Sequence, residues 1–258
     1  MLPVATSIPT GPASPAAPGG ARRRVVDAPT RMFHALFALS FLGAYLTADG
    51  ERWRALHVTL GYTLAGLFVF RIVYGLIGPR HARLAPLLRR LSGLPTWWRA
   101  ALDAVRGAAY RDLPWRQGLP LLMALAVVAL LTLVVPLTLS GYGADHAWGE
   151  ALAELHEGLG EALLFLALAH LGLVLGLSVL KRRNHALPML TGRVDGNGPD
   201  LVRHDRRWLA ALLLLAVLAF ASWEWRHAPN GLLPTSATAH ERHHDHDHDH
   251  DHDHDHND

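Results

Sequence analysis

The chain has 258 residues, half of them hydrophobic, and carries a formal net charge of +2 with no cysteine. The missing thiols exclude thioether-attached haem, cysteine-held iron–sulfur clusters, structural disulfides and thiolate zinc sites. A positive mean hydropathy, with the charge gathered into blocks, is typical of a membrane protein.

Residues 1–24 are rich in Pro, Gly, Ala, Ser and Thr, a composition that predicts a disordered cytoplasmic leader. Apolar runs follow that are long enough, with their flanks, to cross a hydrocarbon core of about 30 Å. They lie at residues 32–46, 56–77, 119–139, 156–180 and 208–225. The first and the last are short for a crossing of about 20 residues and need their flanking positions to complete it.

The five runs predict an all-α integral membrane protein, a four-helix transmembrane bundle plus a fifth C-terminal transmembrane helix. We expect the bundle domain to cover residues 25–195, and a linker with the fifth helix to cover residues 196–227. Residues 228–258 are rich in His and Asp and predict a disordered periplasmic tail.

Basic residues lie in alternate connecting segments. Arginines precede the first run, recur through residues 78–118 and follow the fourth run. The segment after the third run instead offers Asp145, Glu150 and Glu154, with no Lys or Arg. The positive-inside rule therefore predicts a multi-pass protein of the bacterial inner membrane, with its N-terminus in the cytoplasm and its C-terminus in the periplasm.

The segment 78–118 also contains Trp97 and Trp98, with spaced Leu, Ala and Val between its arginines. This pattern predicts a helix that lies at the level of the lipid headgroups. Such a helix either covers the bundle or recruits a cytoplasmic partner, because a basic amphipathic face serves either purpose.

Four histidines lie at matched depths in the apolar runs: His34, His57, His156 and His170. His156 and His170 are 14 residues apart, which is a rise of about 21 Å and nearly four full turns of a helix. These two therefore share a face at different depths. In the predicted topology His57 lies at the outer level with His156, and His34 lies at the inner level with His170.

An intramembrane imidazole is costly without a partner, and axial ligation of haem iron supplies one. We therefore expect two non-covalent haem b groups, one above the other, each held by two histidines. A di-iron or zinc site is a poorer explanation, because no Glu-x-x-His pair projects from these runs. Arg71 lies 14 residues after His57 and either neutralises a haem propionate or reaches to the cytoplasmic headgroups.

Short motifs recur in order along residues 25–195. They are Asp27-x-Pro29-x-Arg31-x-Phe33-His34, His57 followed by Gly61-Tyr62, Gly78-Pro79-Arg80-x-Ala82-Arg83, Leu155-His156-Glu157 through His170, and Met189-x-Thr191-Gly192-Arg193. The ordered set resembles the bacterial cytochrome b561 family, which includes the b-type cytochrome subunits of membrane-bound nickel-iron hydrogenases. This resemblance implies a four-helix bundle with two b haems on His34, His57, His156 and His170, and exchange of electrons between quinone and a periplasmic partner.

The C-terminal tail alternates His with Asp, and imidazole with carboxylate suits zinc, nickel or copper in exchanging geometries. Its ligands would be His243, His244, His246, His248, His250, His252, His254 and His256. A merely solvated tail or an artefact is the alternative.

The expected function is electron transfer across the inner membrane as one component of a respiratory chain, and the protein need not be an enzyme by itself. The expected partners are the lipid bilayer, quinone and a periplasmic cytochrome c or hydrogenase-like protein, and no nucleic acid. One alternative keeps the haems and makes the protein a reductase of periplasmic metal ions or oxygen species. Another is a divalent metal transporter, which the near absence of intramembrane Asp and Glu disfavours.

Overall fold

The computed structural model describes residues 22–107, 115–196 and 198–228. Eight helices and two short strands lie in these residues. In chain order they are β1 (Arg22–Arg24), α1 (Ala28–Leu46), α2 (Arg54–Ile77), α3 (Ala85–Leu91), α4 (Leu94–Arg106), α5 (Trp115–Asp145), α6 (Glu150–Leu180), α7 (Leu187–Thr191), β2 (Arg193–Asp195) and α8 (Arg207–His227).

Four of the described helices are long and apolar enough to cross a membrane, namely α2 with the short turn before it, α5, α6 and α8. The prediction of an all-α membrane protein is therefore confirmed. The predicted count of five crossings is not confirmed. Helix α1 does not meet the same criterion, because Arg31 and His34 in its first two turns lower its hydropathy. The five-span arrangement, with α8 as its fifth span, stays a prediction.

The long helices pack in two groups that share α2. Helix α1 lies against α2 and α8, and the side chains of Phe33, Leu67 and Leu213 form the buried core between these three helices. Helices α5 and α6 are antiparallel neighbours, and a second core lies around Val134 and Leu163. The outward faces of the long helices carry exposed apolar side chains, as a surface in contact with lipid requires.

Strands β1 and β2 pair in antiparallel fashion, with Arg23 opposite Val194. Gly192 precedes β2 with a positive φ of 75°, and its carbonyl accepts hydrogen bonds from the backbone N–H groups of Val25 and Val26. This small sheet joins the start of α1 to the segment after α6. Arg22–Arg24, which we assigned to the disordered leader, thus form a strand, and residues 1–21 lie outside the described part of the chain.

Asp27 closes the same end of the bundle. Its side chain is fully buried and accepts hydrogen bonds from the backbone N–H of Thr30, the hydroxyl of Tyr74 and Nε2 of His81. The first of these caps α1, as expected for Asp before a helix with Pro29 in its first turn. Burial by itself raises the pKa of this carboxyl, but the three hydrogen bonds outweigh it and hold the pKa below its ordinary value.

Candidate functional site

His57 and His156 face each other at the end of the bundle where α5 joins α6. His57 lies near the start of α2 and His156 in the second turn of α6. Their ring centroids are 5.9 Å apart and the ring planes are perpendicular. The structure thus brings together the two histidines that we expected at the outer level.

The backbone of neighbouring helices orients both rings. Nδ1 of His57 lies 2.8 Å from the carbonyl oxygen of Ala44 in α1, and Nδ1 of His156 lies 2.9 Å from that of Leu137 in α5. A carbonyl oxygen only accepts, so each Nδ1 must carry the proton and donate it. Each Nε2 is then left with a free lone pair, which is the form in which imidazole binds a metal ion.

A cavity of 780 Å³ lies between α1, α2, α5 and α6, and both histidines line it. This volume falls in the range of about 300–1,000 Å³ that is typical of sites for small molecules and cofactors. Gly141 of α5 forms part of its wall, and the ring of His156 rests directly on that glycine. A Cβ atom built at Gly141 would lie 2.7 Å from Cε1 of His156. A glycine at this position is therefore what lets the imidazole approach α5.

Most of the charged residues that line the cavity are acidic. Asp49, Asp145, Glu157 and Glu161 line it together with Arg54, which forms an ion pair with Asp145 at 3.0 Å. The chain from residue 145 to residue 161 contains five carboxylates and no Lys or Arg. This end of the bundle therefore favours cations over anions.

His34 and His170 form the second predicted pair. His34 lies in the second turn of α1, and His170 lies 14 residues after His156 on the uninterrupted helix α6. Nδ1 of His170 is buried and has no hydrogen-bond partner. His170 therefore lacks a backbone acceptor of the kind that orients His57 and His156.

Arg71 is half-buried in α2, and its guanidinium donates a hydrogen bond of 2.9 Å to the carbonyl oxygen of Ala82, in the segment after that helix. The predicted contact with a haem propionate remains a prediction. The eight tail histidines lie outside the described residues, and among the described ones no group of three or more His, Cys, Asp or Glu residues could hold a metal ion.

Three features were missed in the sequence analysis: the seat at Gly141 and the acidic residues Glu157 and Glu161 beside the first pair, and the buried carboxylate of Asp27 at the opposite end of the bundle. The seat and the hydrogen bonds to Asp27 join residues that are distant along the chain, so no local pattern signals them. The two glutamates were detectable, because they follow His156 by one and five residues and so lie on neighbouring turns of its helix.

A helical membrane protein with two imidazoles lining one cavity of cofactor size has a site suited to a metal cofactor such as haem. The family model of the prokaryotic cytochrome b561 matches residues 25–192, and the chain belongs to this family. It is accordingly a membrane b-type cytochrome of electron transfer, and its family implies binding of haem b. The resemblance noted in the sequence is thereby confirmed. No curated protein and no solved structure matches the chain.

Proposed function

We propose that this cytochrome carries electrons between the two faces of the inner membrane through two haem b groups, each held by a pair of histidines. His57 and His156 hold the first, and His34 and His170 hold the second. The geometry of the His57–His156 pair is the observation that carries this proposal. Haem iron supplies reversible one-electron chemistry when it is bound between two such imidazoles.

The first pair fits a haem iron in position and chemistry. The ring centroids of His57 and His156 are 5.9 Å apart and both residues line one cavity, so together they would hold the iron of one haem. The protons held on Nδ1 by Ala44 and Leu137 keep both Nε2 atoms available and make them better ligands.

The second pair supports the proposal through its place on α6. His156 and His170 are separated by about 21 Å along a continuous helix, so the two pairs lie at different depths of one bundle. Arg71 adds a positive charge to this half of the bundle, where it would balance a carboxylate of the cofactor.

Charge supports the proposed orientation and partners. The arginine-rich end would face the cytoplasm by the positive-inside rule, which leaves the acidic cavity toward the periplasm. Quinone in the bilayer is the proposed partner on the membrane side. A cationic surface of a periplasmic cytochrome c or hydrogenase-like protein would complement Glu157 and Glu161 of the cavity lining.

Proteoliposomes provide the test. We would reduce the full chain with a quinol and follow reoxidation of the b-type spectrum by two membrane-impermeant acceptors, cationic hexaammineruthenium(III) and anionic ferricyanide. We expect the rate with the cationic acceptor to fall as salt is added, and to fall several-fold in Glu157→Gln/Glu161→Gln. The control Asp103→Asn/Asp195→Asn removes two carboxylates from the other end and should leave that rate unchanged.

Reduction by quinol without any oxidation by the external acceptors would contradict transfer across the membrane. Equal effects of the two double variants would contradict the acidic cavity as the exit for electrons.

A further inference from the structure

The segment between α2 and α5 is basic and amphipathic, and the proposed electron transfer does not use it. Residues 78–107 contain six arginines and one carboxylate, that of Asp103. Helices α3 and α4 of this segment pack against α5. The segment therefore lies at the end of the bundle opposite the His57–His156 pair, where α5 begins.

One face of α4 is fixed to the bundle. Trp97, Ala101 and Ala104 are buried on this face. The indole of Trp97 lies so close to Gly118 of α5 that a Cβ atom there would be 2.5 Å from three of its ring atoms. Gly118 thus provides the space in which α4 docks, and it sets which side of α4 faces outward.

The remaining circumference of α4 changes from apolar to basic. Trp98 is 57% exposed and Val105 is 49% exposed, and both lie about a quarter turn from the buried face. Arg99 and Arg106 are exposed and lie about half a turn from it, seven residues apart on one side. Around its circumference, α4 thus presents first the face that contacts the protein, then apolar side chains, then arginines. This order suits a helix at the boundary between acyl chains and headgroups.

An apolar groove of 310 Å³ runs between α4 and α5. Its lining contains no charged residue and consists of Leu94, Pro95, Trp97, Trp98, Leu122 and Leu125. Arg90 at the end of α3 and Arg99 flank this lining stretch along the chain, and both are exposed. The stretch that lines the apolar groove is therefore bounded along the chain by positive charge.

We propose that this groove is a binding site for an anionic phospholipid, with one acyl chain against Trp98 and Leu125 and the phosphate beside Arg90 and Arg99. A lipid headgroup is the chosen source of the anion, because the apolar slot adjoins a membrane-spanning helix and would have no use for a free phosphate. The lining of the groove contains none of the four histidines, so the proposed lipid site uses residues other than the proposed haem ligands.

Native mass spectrometry of the delipidated full chain tests this site by titration with palmitoyl-oleoyl phosphatidylglycerol and with the matching phosphatidylcholine. We expect the wild type to bind the anionic lipid at least tenfold more tightly. Arg90→Gln/Arg99→Gln should lose about 30-fold in affinity for it, which is the roughly 2 kcal/mol expected for two arginines at a membrane surface. The control Lys181→Gln/Arg203→Gln removes two exposed charges from the same end and should change the affinity less than twofold.

Trp98→Ala should lower the affinity for both lipids, because it removes one wall of the groove. Helix content by circular dichroism checks that this variant folds. Equal binding of the two lipids by the wild type, or equal losses in the two double variants, would overturn the proposal. A dimer that excludes lipid and that disappears in Trp98→Ala would assign the groove to a second copy of the chain. Binding of inorganic phosphate that competes with phosphatidylglycerol would assign the arginines to a free anion; both outcomes contradict a lipid site.

Discussion

Gly141→Ala tests the seat of His156 with a single added methyl group. The new Cβ atom would lie 2.7 Å from Cε1 and 2.9 Å from Nδ1 of His156. Carbon contacts settle at about 3.5–4.0 Å, so the ring must retreat by about 0.8 Å or more. The same movement stretches the 2.9 Å hydrogen bond from Nδ1 to Leu137. Loss of such an orienting partner typically costs 10–100-fold in affinity of the metal centre.

The assay is the pyridine haemochrome of purified protein, together with a spectroelectrochemical titration. We expect the haem content of Gly141→Ala to fall from two per chain toward one, and one of two redox components to disappear. Gly158→Ala is the matched control, because it adds the same methyl group to α6 with nothing within 4 Å. Full haem content with two unchanged components in Gly141→Ala, or equal losses in both variants, would refute the idea that α5 seats the ligand.

Further predictions concern the buried end of the bundle and are measured as thermal or acid unfolding midpoints by circular dichroism in detergent. Asp27→Ala should lower the free energy of unfolding by roughly 3–5 kcal/mol, because it removes a helix cap and leaves Tyr74 and His81 without their acceptor. Asp27→Asn should lower it much less. The pKa of Asp27 is lowered by folding, so its stabilisation is present above the unfolded pKa of about 3.9 and is lost as pH falls through the folded pKa. Wild type should therefore lose stability more steeply than Asp27→Asn below about pH 4, and parallel curves would contradict this. Gly192→Ala should lower the free energy of unfolding by at least about 1 kcal/mol, because it places an L residue at φ 75° and a Cβ atom 2.7 Å from the carbonyl oxygen of Val26. An unchanged unfolding midpoint would contradict this strain.

The helices and the spacing of His156 and His170 on one of them were predictable because they depend on local patterns. Helix α6 runs without a break through His156 and His170, so a spacing of 14 residues was enough to place them on one face. The basic and acidic segments then assigned each histidine to one end. That assignment is why His57 was expected opposite His156, and the two rings do face each other.

The remaining features depend on packing between distant segments. The acceptors of the two rings, Ala44 and Leu137, are backbone carbonyls of α1 and α5, and any residue type could supply them. Strand β1 consists of three arginines, which carry no strand pattern and are ordered by pairing with β2. The charged and polar residues in the first turns of α1 shorten its apolar run in the sequence. The same residues lower the hydropathy of the helix, so α1 is not among the four helices that are apolar enough to span a membrane.

The two-pair arrangement is decided by the haem b content per chain of the wild type, His57→Ala and His170→Ala, each measured with its visible redox spectrum. We expect two low-spin haems in the wild type and about one in each variant, with a different redox component lost in each. A wild type with one haem or none would contradict the two-pair arrangement. Simultaneous loss of both haems in one folded variant, or of neither in both, would contradict the pairing itself.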